Sequence, residues 1–134
     1  MDRSRILADL QQLLGAEPRV VAAWLFGSLA RDEAGPGSDV DVGILCHRRG
    51  GGPVDLEFVE RLRGQIEDVL RREVDLVVLD DAPADLVYRV LRDGVLLAER
   101  DPRARVEFQL AARNEYFDLL PILEMYRRTV LGSV

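Results

Sequence analysis

Ser38-Asp39-Val40-Asp41-Val42-Gly43-Ile44-Leu45 places two aspartates one residue apart at the start of an apolar run. In an extended strand side chains repeat every two residues, so both carboxylates leave the same face of the sheet. Two carboxylates held that close repel each other and lose solvation unless a cation sits between them. A third acid comes from Val74-Asp75-Leu76-Val77-Val78-Leu79, where Asp75 interrupts a second strand-like run. One carboxylate from a neighbouring strand would complete an oxygen-only site of the kind that suits magnesium or manganese. Upstream, the apolar run Val20 to Phe26 closes on Gly27-Ser28, and ten residues separate Ser28 from Asp39. Glycine lets backbone approach phosphate oxygens closely, and serine offers a hydroxyl and a first-turn N–H. Three carboxylates beside a glycine-serine turn point to phosphate chemistry.

Outward from these strands the chain alternates helical and extended patterns. Ile6, Leu7, Leu10, Leu13 and Leu14 share one helical face, with Asp2 or Ser4 available as a cap and Gly15 as a stop. Val20 to Phe26 is a continuous apolar run, the pattern of a strand buried on both faces. Gly27-Ser28 turns the chain into a short helix over Leu29 to Glu33, which Gly35-Pro36-Gly37 breaks. Val54 to Arg72 carries Phe58, Val59, Leu62, Ile66, Val69 and Leu70 at helical spacing. Asp80-Asp81-Ala82-Pro83 reads as a turn and cap before a helix from Ala84 to Leu91. Asp93-Gly94 is a turn, and Val95 to Ala98 an edge strand. A last helical segment, about 102–130, opens with Asp101 as cap and Pro102 as first residue, and Pro121 is expected to bend or interrupt it. The whole of 1–134 reads as one domain of α/β class, a small mixed sheet flanked by helices.

Each candidate has a plainer reading. Any strand-to-helix turn can use Gly27 and Ser28, and Asp39 can serve as a turn acceptor after Gly37-Ser38. Asp41, between Val40 and Val42, is costly to bury alone and needs a partner. Asp75 can be an edge-strand acid paired with arginine. Arg31, in the first turns after Ser28, can reach a triphosphate or stand solvated on a helix. His47 lacks a partner in the sequence nearby and fits a surface loop; Arg48 and Arg49 can hold a nucleotide or only solubilise that loop. Tyr116, Phe117 and Tyr126 can pack the last helix on the sheet or meet another protein.

Hydrophobic residues make up 48% and charged residues 31%, a balance that argues for a folded chain. A formal charge of -6 argues against broad attraction to nucleic acid, so no direct nucleic-acid partner is expected. There is no lysine, which leaves arginine or metal to face a triphosphate. The single Cys46 fits a reducing cytosol, and no apolar run approaches the roughly 20 residues of a membrane span. A cytoplasmic location without membrane association is therefore expected.

Gly27-Ser28, the ten-residue interval, Asp39-Val40-Asp41 and the strand Val74-Asp75-Leu76-Val77 together resemble the signature of polymerase-beta-type nucleotidyltransferases. Gly27-Ser28-Leu29-Ala30-Arg31 and the stretches Val74 to Pro83 and Tyr88 to Gly94 resemble the minimal nucleotidyltransferases, or MNT, antitoxins of two-gene systems whose toxins are HEPN-domain ribonucleases. The resemblance implies a polymerase-beta-like fold and transfer of AMP from ATP to a tyrosine of the HEPN partner, which silences it. It further implies two magnesium ions, with manganese as a substitute. Asp39 and Asp41 would hold the ion on the triphosphate, and Asp75 with both would hold the second. Gly27 and Ser28 would seat the phosphates and Arg31 would assist. Two rivals stand beside it: adenylyl transfer to a small hydroxylated molecule, and an antitoxin that acts by binding and occlusion alone.

Overall fold

The computed structural model describes residues 2–33, 35, 38–46 and 54–130. His47, Arg48, Arg49, Pro36 and Gly37 lie outside the described residues. Four strands form one mixed sheet: β1 (Val20–Phe26), β2 (Val40–Cys46), β3 (Val74–Val78) and β4 (Val95–Glu99), in the spatial order β3-β2-β1-β4. β1 runs antiparallel to both β2 and β4, and β2 runs parallel to β3. A parallel pair needs a long crossover, which the amphipathic helix α3 (Leu56–Leu70) supplies. Asp55 caps α3 through the Glu57 amide at 3.0 Å, and Arg71, in the left-handed conformation, ends it.

Alternation along the strands divides the core. Val40, Val42, Ile44 and Cys46 of β2, with Val74 of β3, face α3 and α1 (Arg3–Gly15), where they pack with Ile6, Leu10, Phe58, Leu62 and Ile66. On the other face, Trp24 and Leu45 pack with Leu79, with Val87 and Val90 of α4 (Ala84–Asp93), and with Ala112 of α5 (Pro102–Val130). β1, central in the sheet, is covered on both faces as its unbroken apolar run requires. Of the two candidate caps for α1, Asp2 is the one used, accepting from the Arg5 amide at 2.8 Å.

Four local expectations change. The helix after Gly27-Ser28, α2 (Gly27–Ala30), starts two residues early and stops at Ala30, because Asp32 takes a positive φ of 58° and the Arg3 side chain binds the Leu29 carbonyl at 2.8 Å. Asp80 and Asp81 do not cap α4: Leu79–Asp81 is a short 3-10 turn, Pro83 precedes the helix, and Asp80 accepts the Cys46 amide at 3.0 Å at the end of β2. α5 continues through Pro121; the turn is exposed, so solvent can satisfy the carbonyl that the proline leaves without a donor. Tyr116 and Phe117 dock α5 on α4 rather than on the sheet. Tyr116 stacks on Tyr88 with centroids 4.0 Å apart, and Phe117 meets both rings edge-on. Among the described residues no helix is long and apolar enough to cross a membrane.

Candidate active site

The end of β1 and the starts of β2 and β3 meet along one border of the sheet. Phe26 pairs with Asp41 across the antiparallel ladder, and Asp41 stands beside Asp75 in the parallel one. Their neighbours Val40, Val42, Val74 and Leu76 pack on the α1/α3 side, so by alternation Asp41 and Asp75 leave the opposite face, the face of α4 and α5. Asp39 lies immediately before β2 and is exposed, as is Asp75, whereas Asp41 is half-buried. Two bonds to backbone fix this entry to β2: Arg72 donates to the Ser38 carbonyl at 2.8 Å, and the Val40 amide donates to the Glu73 carbonyl at 3.0 Å. Glu67 in turn takes the Val74 amide at 2.9 Å while paired to Arg63 at the same distance.

Gly27 abuts Asp41. Its φ is +74°, and a Cβ placed on it would lie 2.2 Å from Asp41 Oδ2. Both facts demand glycine, one from backbone strain and one from space. The sequence predicts close backbone approach to phosphate; the approach to a carboxylate is not legible in it, because it depends on how β1 and β2 pair. Ser28 is half-buried as the second residue of α2, and its carbonyl accepts the Glu33 amide at 2.9 Å. Arg31 pairs with Glu33 at 3.0 Å and also acts electrostatically on Asp41 and Asp93. Asp93 and Arg72 are additions that sequence reasoning passed over. Asp93 is held by Arg92 at 2.8 and 2.9 Å, and this pair, with Arg31, keeps its carboxyl below the usual range.

Asp41 carries the electrostatic record of the cluster. Burial pushes its carboxyl above the usual carboxylate range, Asp75 and then Asp39 push it further, and Arg31 alone pulls it back. A hard divalent cation fits this donor set, which is oxygen-only and short of positive charge. Among the described residues, no three acidic, histidine or cysteine side chains stand grouped closely enough to hold an ion as they are. Rotation of the exposed Asp39 and Asp75 side chains is what would close a ligand set around Asp41.

Such a sheet, with carboxylates at the starts of two adjacent parallel strands and a glycine-serine helix start against them, is the architecture of a nucleotidyl-transferring enzyme. The chain belongs to the polymerase beta nucleotidyltransferase family, whose match runs over residues 8–103. It is similar to a protein described as a minimal nucleotidyltransferase, with 30% identity and a TM-score of 0.59 over 71% of this chain and 95% of that one. Its fold is also that of a chain in a toxin–antitoxin complex with AMP-PNP, at 21% identity and a TM-score of 0.70 over 98% of this chain and 97% of the other. A complex of tri-AMPylated Shewanella oneidensis HEPN toxin with MNT antitoxin contributes a chain similar at 20% identity and a TM-score of 0.69, with the same coverage. No curated protein matches the sequence.

Proposed function

We propose that this nucleotidyltransferase moves AMP from ATP to a tyrosine of a cognate HEPN ribonuclease and so inactivates it as an antitoxin. The observation that carries the reading is that Asp41 is the register partner of Asp75, is seated against Gly27, and feels the charges of both Asp75 and Asp39. Asp39 and Asp41 are the residues that would hold magnesium on the triphosphate, and Asp75 completes the set on the acceptor side. A divalent cation bound there supplies charge neutralisation on the phosphates and lowers the pKa of a bound hydroxyl. The chain's own part is positional. Gly27 keeps the turn clear of the Asp41 carboxylate, Ser28 would offer its hydroxyl and N–H to phosphate oxygens, and Arg31 offsets the charge at Asp41.

A tyrosine hydroxyl ionises near pH 10, so the carboxylate border must orient it and take up its proton for in-line attack at the α-phosphorus, which expels pyrophosphate. The acceptor class draws support from the chains of similar fold in toxin–antitoxin complexes, one of them with an AMPylated HEPN toxin. Incubation with ATP, magnesium and the HEPN protein, followed by intact mass, tests the reading. The expected result is a partner heavier by one or more adenylates and an inactive ribonuclease. Inhibition without a mass change, reproduced by Asp39→Asn, would establish occlusion instead, and adenylylation of a small hydroxylated compound alone would establish the third reading.

A further inference from the structure

α5 is longer than the body it packs on. Its 29 residues rise about 43 Å at 1.5 Å each, against roughly 23 Å for the seven-residue strands β1 and β2. Ala104, Phe108 and Ala112 form its core-facing stripe, and among the described residues no α5 side chain beyond Ala112 belongs to either core cluster. At 100° per residue the same stripe continues through Leu119, Ile122, Leu123, Tyr126 and Val130. There the sheet is no longer beneath it: Ile122 is 63% exposed, Tyr126 61% and Val130 52%. An apolar stripe that extends past its own core calls for a surface from elsewhere.

Two observations identify that surface. The family match ends at residue 103, the second residue of α5, so nearly all of the helix is an addition to the nucleotidyltransferase unit. The minimal nucleotidyltransferase, matched over 95% of its own length, accounts for only 71% of this chain, whereas the chains from toxin–antitoxin complexes match 98% of it and therefore include α5. We infer that the C-terminal half of α5, through Ile122, Leu123, Tyr126 and Val130, is the docking surface for the protein that receives the adenylate. This rests on the HEPN-partner reading above, and it separates two tasks: β1, β2 and β3 position the nucleotide, and α5 captures the acceptor.

The test is the affinity of the full chain for the HEPN protein, by calorimetry, with ATP binding measured in parallel. Ile122→Asp combined with Tyr126→Asp should weaken the complex by roughly 30-fold or more, as loss of a central interface anchor does, and leave ATP binding unchanged. Arg128→Ala, exposed and about 200° round the helix from Tyr126, should stay within about 3-fold of the parent. The milder pair Ile122→Ala and Tyr126→Ala should fall between them, and helical circular dichroism equal to the parent excludes unfolding as the cause. Unchanged affinity in the double aspartate variant overturns the proposal, as does failure of the parent to bind the HEPN protein. It is equally overturned if light scattering finds the isolated chain dimeric and the double variant monomeric with partner affinity intact, since a second copy then covers the stripe. A partner that binds through this face yet gains no adenylate supports the docking surface and refutes the transfer.

Discussion

The two faces of the sheet are covered to different extents. On one, α1 and α3 cover β2 and β3 along their length, and every inward residue of β2 from Val40 to Cys46 is apolar and buried. On the other, α4 and α5 cover the sheet around Trp24 and Leu45, while Asp41 and Asp75 at the strand starts stay partly or fully exposed. The same two strands thus present continuous core to one side and a charged border to the other. The acids stand where helical cover stops; under a helix they would face a desolvation penalty with no cation able to reach them.

This contrast makes distinct predictions for the two faces. Asp41→Asn should reduce nucleotidyl transfer by roughly 10³-fold or more, about 4 kcal/mol in the barrier, while far-ultraviolet circular dichroism stays that of the parent; a folded variant with undiminished turnover would move the active border elsewhere. On the covered face the expected loss is of stability, not chemistry. Leu62→Ala should lower the unfolding free energy by about 3 kcal/mol in denaturant titration, with turnover per folded molecule retained. Gly27→Ala lies between the two classes: left-handed strain and the clash with Asp41 should remove about 2 kcal/mol of stability and most of the activity together, and a variant that lost only one of them would uncouple the turn from the acid.

The smallest effect is charge relief at Asp41. Its carboxyl is pushed up in the fold, so the folded state holds the proton more tightly than the unfolded chain does. Its contribution to stability is therefore greatest below the unfolded value near 3.8 and is lost as pH rises through the higher folded value. In chelator, Asp41→Asn should accordingly raise the unfolding midpoint near neutral pH, by on the order of half a kcal/mol after solvent screening, with the gain vanishing in acid. A variant less stable than the parent at neutral pH would mean that Asp41 serves the metal-free fold as a hydrogen-bond acceptor.

Periodicity made most of the framework legible. The alternation around Asp39 and Asp41, the unbroken run of β1, and the helical spacing of Phe58, Leu62 and Ile66 are local properties, and the elements appear where those patterns lie. Boundaries moved where a contact distant in sequence decided them. α2 stops early where Arg3 meets its last carbonyls, and Asp80 leaves its expected capping role for an amide of β2. Neither partner is visible in a local window, since 26 residues separate Arg3 from Leu29 and 34 separate Asp80 from Cys46.

By itself the sequence determined the candidates for the chemistry: two acids at a spacing of two, a third in another apolar run, and a glycine-serine turn ten residues upstream. Only tertiary structure decided that Asp41 and Asp75 are register partners, that Gly27 is required by Asp41 as well as by its own φ, that Arg72 ties down the Ser38 carbonyl beside Asp39, and that the apolar stripe of α5 outruns its core. The physical reason is that side-chain period is encoded along the chain, whereas strand register and helix overhang are set by packing between segments far apart in it.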